Sequence, residues 1–313
     1  MPHFDEGRPY LIIEAASVLG LKPTGVERLS QRLLQEGLAQ SLQAEVVACL
    51  DTPPYNPVRD AQTLTLNAQA IAQWTPRLAD AVAGVLDGGG FPLILGGDCS
   101  IVLGPLLALR RKGRYGLLFI DGHADFYQPE INPNGEAASM DLAFATGHGP
   151  ALLTDIEGRR PLVREVDTVI FGFRDAAEQA EYGSQPLPPD IRTFDLDTVR
   201  RLGVDEAARQ AVAHLSRDEL DGFFIHLDAD CLDDAVMPAV DYRLPGGLSL
   251  QELAKALQTA LASGRAVGME VTIYNPALDA DGSAGRGLTH VLVEALGVRA
   301  PGAPSRGAAQ AQG

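Results

Sequence analysis

Eight short apolar runs recur along the chain, and this repetition limits the possible folds more than any other feature. Most of the runs are continuously apolar, as expected for strands that are buried on both faces. The predicted strands are Tyr10–Glu14, Glu45–Leu50, Pro92–Leu95, Gly116–Ile120, Thr168–Gly172, Ile191–Phe194, Gly222–Leu227 and Ala266–Val271. Helical patterns separate them, so the sequence predicts a three-layer α/β fold with a mostly parallel eight-stranded sheet and helices on both faces.

Six helical patterns lie between these strands, and no repeat or linker divides the chain. The predicted helices are Val26–Ala39, Thr63–Leu86, Ile101–Arg111, Asp205–Leu215, Leu250–Ala262 and Leu288–Leu296. Pro76 is expected to kink or break the second of them. Residues 1–299 are therefore predicted to form a single catalytic domain, and residues 300–313, mostly Ala, Gly, Pro and Gln, a disordered tail.

Charge and cysteine content narrow the class of function. The chain of 313 residues has 25 Lys and Arg against 41 Asp and Glu, a net charge of −16, which argues against a nucleic-acid partner. Three cysteines do not make a disulfide framework. The first residues do not resemble a signal peptide, and no apolar stretch has the length of a membrane span. We expect a cytoplasmic protein that acts on a small molecule and has no membrane partner.

Polar residues follow three of the predicted strands, at the edge where parallel sheets place their active sites. The segments are Gly96–Ser100, Asp121–Asp125 and Asp228–Asp233. In extended chain, Asp121, His123 and Asp125 point the same way, and the third segment repeats the pattern with Asp228 and Asp230. Carboxylates this close repel one another unless a cation lies between them. With one imidazole and one thiolate nearby, the pattern predicts a pair of divalent ions.

Each of these residues also has an ordinary structural interpretation. A lone Asp after a strand is usually a helix cap or a turn residue, and a lone His is often a core or surface residue. Two acidic clusters at neighbouring strand ends favour metal binding over that alternative. His226, inside a strand just before Asp228, is interpreted as a residue that supports the ligands or as a packing residue rather than as a ligand. Cys231 is interpreted as core, because strand alternation points it away from the neighbouring ligands.

The motifs resemble those of the ureohydrolase family, which includes arginases, agmatinases and formimidoylglutamases. Gly-Gly-Asp-Cys-Ser at 96–100 resembles its Gly-Gly-Asp-His-Ser, and Asp-Gly-His-Ala-Asp at 121–125 resembles its Asp-Ala-His-x-Asp. Asp-Ala-Asp-Cys-Leu-Asp at 228–233, followed by Leu-Pro-Gly-Gly-Leu at 244–248, is similar to its third motif. The resemblance implies an arginase-like fold and a homo-oligomer.

The resemblance also implies two Mn²⁺ ions and hydrolysis of a C–N bond in a linear amidine or guanidine. Six residues are implied as metal ligands: Asp121 and Asp228 between the ions, Cys99 and Asp125 at the first site, and His123 and Asp230 at the second. Asp125 is also implied to be catalytic, because it orients the attacking water and passes a proton to the leaving nitrogen.

Cys99 departs from the family, which has a His ligand at that position. One interpretation is a lost ligand, with Cys99 a small buried residue. The favoured interpretation is a thiolate ligand, because metals deprotonate nearby thiols. A thiolate shifts preference from Mn²⁺ towards Zn²⁺, Fe²⁺ or Ni²⁺.

The substrate-contacting positions depart further. Ala138 stands where arginases have a proton-shuttling His, and Tyr127 where they have an Asn that contacts the substrate carboxylate. Ile273 aligns with the Glu that binds the guanidinium, and Glu270 with a family Asp; Glu270 is the candidate catalytic residue to replace that Glu. These changes predict that arginine is not the substrate.

The loop after the third motif supplies two further candidates. Asp241 and Arg243 are predicted, with Tyr127, to bind the substrate, and Arg243 to pair with a carboxylate. Two alternatives to an active ureohydrolase remain. One is a single-Zn²⁺ enzyme of the related deacetylase-like fold, which the paired acids disfavour. The other is a catalytically impaired relative that acts as a binding or structural protein.

Overall fold

The computed structural model describes residues 8–297, so the predicted tail at 300–313 lies outside the described residues. Its eight strands are β1 (Tyr10–Glu14), β2 (Glu45–Cys49), β3 (Phe91–Leu95), β4 (Gly116–Ile120), β5 (Thr168–Phe171), β6 (Arg192–Phe194), β7 (Phe223–Asp228) and β8 (Ala266–Thr272). They form one sheet in the order β2-β1-β3-β8-β7-β4-β5-β6, and every pairing is parallel. The predicted sheet is confirmed, and each strand lies within one residue of its predicted bounds.

The helices that agree best with the prediction are the long ones that connect one strand to the next. They are α1 (Leu29–Gln35), α2 (Leu38–Leu42), α3 (Ala68–Asp87), α4 (Leu103–Lys112), α5 (Asp141–Ala145), α6 (Ala151–Thr154), α7 (Ala176–Tyr182), α8 (Leu196–Leu202), α9 (Val204–Leu215), α10 (Leu250–Ala262) and α11 (Ser283–Gly297). The predicted helix over residues 26–39 is divided, because Gly37 adopts a left-handed φ of 87°. Helix α3 continues through Pro76 without a break.

Alternate residues of the buried strands enter two separate hydrophobic cores. Leu118 and Ile120 of β4 pack into the core that contains α9, α10 and α11. Leu117 and Phe119 of the same strand pack into the core that contains α3 and α4. This alternation makes the three layers, because each strand has to bury both faces under helices. No helix in the described part of the chain combines the length and apolar character that crossing a membrane requires.

The strand order brings the three polar motifs to one place. The motifs follow β3, β4 and β7. These strands lie side by side with β8 in the order β3-β8-β7-β4. In a parallel sheet all carboxyl ends lie at the same edge, so these central strands present their following residues to one region. The register pairs His226 with Glu270 and Asp228 with Thr272, which brings β8 residues into the same region.

An ion-pair network lies at the opposite, amino-terminal edge of the sheet. Asp167, fully buried before β5, accepts two hydrogen bonds from Arg114 at 2.8 and 2.9 Å and one from Arg217 at 2.7 Å. These contacts join the segments that lead into β4, β5 and β7. We expect Asp167→Ala to lower the free energy of unfolding by about 2–3 kcal/mol, since charged hydrogen bonds are lost and two guanidinium groups lose their partner.

Denaturant unfolding measures this loss, and metal content serves as the control. Because Asp167 is far along the strands from the polar motifs, the folded variant should bind metal as the wild type does. A variant as stable as wild type would show that the network contributes little.

Candidate metal centre

The loop after β3 holds Cys99 in place through close backbone contacts. A Cβ on Gly97 would lie 1.8 Å from the Ser17 carbonyl oxygen, so only glycine fits there. The Asp98 carboxylate accepts hydrogen bonds from the backbone N–H of Gly20 at 3.1 Å and of Ser100 at 3.0 Å. These contacts begin a 3-10 turn at Cys99 and turn its buried side chain towards β7 and β8.

Cys99 contacts the end of β7. Its Sγ donates to Asp228 Oδ2 at 2.8 Å and lies 3.2 Å from Thr272 Oγ1. Burial, reinforced by the Asp228 charge, raises the pKa of the Cys99 thiol well above its usual value. Without a cation the group is therefore a neutral thiol, and a divalent ion in this place would displace the proton.

His123 and Asp230 form the other side of the cluster. His123 Nδ1 lies 2.9 Å from Asp230 Oδ2, and the Gly122 N–H donates to Asp230 Oδ1 at 3.0 Å. Burial lowers the pKa of His123, but the charge and hydrogen bond of Asp230, together with the Asp121 and Asp175 charges, outweigh burial and raise the pKa to about 9. Burial raises the pKa of Asp230, but the charge and hydrogen bond of His123 lower it, so the Asp230 pKa stays below its usual value. A proton on His123 thus partly neutralises the cluster when no metal does.

The three remaining predicted acids are deeply buried. Asp121 follows β4 and is 0% exposed, Asp228 is 2% exposed and Asp125 is 6% exposed. Burial first, and then neighbouring carboxylates, raises the pKa of each well above its usual value. Asp125 also has a left-handed φ of 46°, which Asp tolerates better than most residues. Buried carboxylates that repel one another form an arrangement that a cation stabilises.

All six predicted ligands lie in one connected set of donors. The groups whose donor atoms lie within 4.8 Å of one another are Cys99, Asp121, His226 and Asp228; Cys99, Asp125 and Asp141; and Asp121, His123 and Asp230. Two of these groups share Cys99, and two share Asp121. Asp121 Oδ2, His226 Nε2 and Asp141 Oδ2 are buried without a hydrogen-bond partner in the described structure. Buried oxygen and nitrogen atoms that have no hydrogen-bond partner are suited to bind metal, and this set is suited to a pair of divalent ions.

The sequence did not predict that His226 and Asp141 lie among the candidate metal ligands. His226 precedes Asp228 by two residues, so it lies on the same side of β7, and that alternation was the signal. Asp141 begins α5, and no local pattern connects it with Cys99 or Asp125. Cys231 is buried in the hydrophobic core, in agreement with the sequence interpretation.

A cavity of about 450 Å³ opens onto these donors. Among the residues that line it are five of the predicted ligands, Cys99, His123, Asp125, Asp228 and Asp230, together with Tyr127, Glu136, Ala138, Glu178, Tyr242 and Ile273. Its volume is that of a small-molecule site. Tyr127 therefore lies where a substrate contact was predicted.

The other predicted substrate residues do not line this cavity. Asp241 accepts a hydrogen bond from Asn275 Nδ2 at 3.0 Å, and exposed Arg243 pairs with Asp234, Nη2 to Oδ2, at 2.8 Å. Glu270 is fully buried inside the sheet, where its Oε1 lies 2.6 Å from His226 Nδ1. Both loop residues are thus bound to protein partners, and Glu270 contacts His226 instead of the cavity.

Comparisons with known proteins agree with this arrangement. The family model described as Arginase family matches residues 23–297. An arginase of Bacillus caldovelox is 32% identical over 216 residues, 68% of this chain and 71% of that protein. An arginase of Staphylococcus aureus (strain COL) is 28% identical over 280 residues, 86% of this chain and 91% of that protein.

A solved structure extends the likeness to the fold. The native arginase structure from Bacillus caldovelox superposes with a TM-score of 0.83 at 26% identity, covering 93% of this chain and 99% of that one. The family match spans all three polar motifs and the strands that carry them. The chain therefore belongs to the arginase family and is a hydrolase of that family.

Proposed function

We propose that this hydrolase cleaves the C–N bond of a linear guanidine or amidine other than arginine, at a centre that holds two divalent ions. One observation carries the proposal: the connected set of buried donors lies at one side of a cavity of about 450 Å³. When bound, the metal pair supplies Lewis acidity that activates water and polarises the substrate. By resemblance to the family the ions are Mn²⁺, and the thiol of Cys99 makes Zn²⁺, Fe²⁺ and Ni²⁺ candidates as well.

Asp125 is suited to the proton transfers of the reaction. Its carboxylate lines the cavity, and burial raises its pKa, which favours the acceptance of a proton. Water adds to the amidine or guanidine carbon and gives up a proton, which Asp125 accepts. The C–N bond then breaks, and Asp125 returns the proton to the departing nitrogen.

The cavity has an isoleucine, and so no carboxylate, at position 273. Ile273, which aligns with the family's guanidinium-binding Glu, lines the cavity and is 6% exposed. At this position a strongly basic guanidinium would lose water without gaining the carboxylate that the family supplies there, at a net cost. A hydroxyguanidine is less basic than a guanidine, so it reaches its neutral form at a smaller free-energy cost.

The charges that line the cavity disfavour an amino-acid carboxylate. Glu136 and Glu178 line it, and no described residue among its lining is Lys or Arg. Glu136 is paired with Lys22 at 3.0 Å and accepts a hydrogen bond from Tyr242 at 2.5 Å. Burial and the nearby Asp175 raise the pKa of Tyr127 to about 12, so its phenol remains a neutral donor. These groups suit a polar or cationic tail.

A catalytically impaired relative is the second candidate. Ala138 lines the cavity where arginases have a proton-shuttling His, and His148 lies apart, with Nε2 2.7 Å from Glu165 Oε1. Metal content separates the candidates: about two ions per chain supports the hydrolase, and none supports a binding or structural role.

We expect arginine to be a poor substrate. The missing charge pair at Ile273 corresponds to about 1.5–3 kcal/mol, or roughly 10–100-fold in kcat/KM relative to the best guanidine or amidine. A screen of guanidines, hydroxyguanidines, amidines and formimino compounds, with urea, ammonia or formamide as the readout, measures this ratio. Turnover of arginine above every other compound would contradict the proposal.

A matched pair of variants tests the same contact directly. Ile273→Glu should raise kcat/KM for arginine by about tenfold or more, whereas the neutral Ile273→Gln should not. Ile273 has a φ of 68°, an unfavourable conformation for a β-branched residue, so neither change should cost stability through the backbone.

A further inference from the structure

His226 is held rigidly in the middle of the sheet, although the family motif assigns it no task. It is a β7 residue, 0% exposed, and its ring stacks on Phe119 with centroids 4.3 Å apart and planes 8° apart. Its Nδ1 lies 2.6 Å from Glu270 Oε1, across the β7–β8 pairing. The stacking fixes the plane of the ring, and the carboxylate fixes its rotation.

The other ring nitrogen has no partner in the described structure. His226 Nε2 and Asp121 Oδ2 are both buried without a hydrogen bond, and they lie 3.8 Å apart, too far for one to bond the other. In the tautomer that donates Nδ1–H to the Glu270 carboxylate, the Nε2 lone pair faces the Asp121 oxygen. Two buried acceptors facing each other are unfavourable unless a cation or a proton lies between them.

The neighbours of Nε2 are metal donors. A ring nitrogen of His226, Cys99 Sγ and carboxylate oxygens of Asp121 and Asp228 lie within 4.8 Å of one another, and Nε2 lies 3.8 Å from Asp121 Oδ2. A carboxylate behind a histidine, as Glu270 lies behind His226, is the arrangement that orients metal-binding imidazoles and raises their basicity.

We infer that His226 Nε2 binds the first metal ion together with Cys99, Asp121 and Asp228, and that Glu270 is the positioning residue behind it. The imidazole that the family supplies from the loop after β3 comes here from β7, while Cys99 occupies the loop position. The inference rests on the proposed metal centre. It assigns Glu270 to the metal site, and it gives the first ion a mixed sulfur, nitrogen and oxygen donor set that suits Zn²⁺ or Fe²⁺ better than an all-oxygen set does.

One different role is consistent with the same contacts. A doubly protonated His226 would be a fixed cation between Glu270 and Asp121, and it would take the place of an ion instead of binding one. The two roles make opposite predictions. Removing a ligand weakens metal binding, whereas removing a fixed cation strengthens it.

Competition with a chelator measures the affinity for the first ion in the full-length protein. We expect His226→Gln to weaken it by more than about 100-fold, beyond the range typical of residues that only orient a ligand, and Glu270→Gln to weaken it by about 10–100-fold. His148→Asn is the control, because His148 lies outside the cluster. Cys99→His combined with His226→Gln should recover affinity, because it returns an imidazole to the site.

Pulsed electron paramagnetic resonance provides a readout that does not depend on the stability of His226→Gln. Histidine labelled with ¹⁵N is incorporated into His123→Asn protein loaded with one equivalent of Mn²⁺. Coupling to a histidine nitrogen should persist there, because His226 remains. Absence of that coupling, or first-ion binding in folded His226→Gln that equals or exceeds wild type, overturns the inference. A wild-type chain that binds no divalent ion overturns the proposed function together with it.

Discussion

Removal of divalent ions is expected to abolish hydrolysis and to lower the melting temperature by about 10 °C. Activity should fall by a factor on the order of 10³ or more, because the buried acids of the site cannot activate water without the ions. An ion present at 1,000 times its dissociation constant stabilises the folded protein by about 4 kcal/mol, and each kcal/mol corresponds to about 2–4 °C for a domain of this size class. Asp121, Asp125 and Asp228, which are buried and repel one another, are the physical source of the effect.

Dialysis against a strong chelator, followed by thermal melting and assay, measures both changes. The same chelator saturated with Ca²⁺ controls for effects of the reagent itself, and Asp121→Asn should resemble the chelated wild type. Activity should return in proportion to the ions restored. Full turnover by a chain that has been freed of metal would refute the proposed centre.

The sequence predicts the sheet well because its strands are buried on both faces. Runs such as Gly116–Ile120 have to be continuously apolar because both faces of the strand are buried. A helix of the same length with one face in solvent would include polar residues. The helices between residues 137 and 202 are not predicted, for the opposite reason. Helix α7 has no buried residue and so has no apolar stripe, whereas α5 is buried on every side and so has no polar one. Periodicity cannot identify either helix.

Some residues of the candidate metal centre are likewise predictable from the sequence, and others are not. Asp121, His123 and Asp125 are predictable because they directly follow a buried strand at the carboxyl edge of the sheet, although the chain bends at residues 122–123 and Asp125 has a left-handed φ of 46°. Asp141 is not, since only tertiary packing places α5 beside Cys99. Arg243 shows the limit for loops. Its charge suggested a carboxylate partner, and the partner is Asp234 nine residues away. Spacing alone does not decide which neighbouring acid a loop Arg meets.

Cys99→Ser is expected to remove most of the affinity for the first ion. The thiolate is a strong donor, and a serine hydroxyl in the same place is neutral and far weaker. Because Cys99 already contacts Asp228 at 2.8 Å, the change alters the donor without moving the loop. We expect the affinity to fall by at least about 100-fold, the upper end of what is typical for residues that only support ligands. Calorimetric or chelator-competition titration measures it.

Cys99→His distinguishes a ligand from a small core residue. If position 99 supplies a donor, the imidazole restores the family's ligand and shifts preference towards Mn²⁺. If Cys99 only fills space, the larger ring overpacks a site that is 1% exposed, at a cost of about 1–3 kcal/mol, and metal preference does not change. Melting with and without chelator, together with metal content, separates these outcomes, and full metal retention by Cys99→Ser would refute the ligand role. Cys231→Ser is the matched control, because that thiol is equally buried but belongs to none of the donor groups. A loss of metal in Cys99→Ser alone therefore reflects the chemistry of the sulfur at position 99.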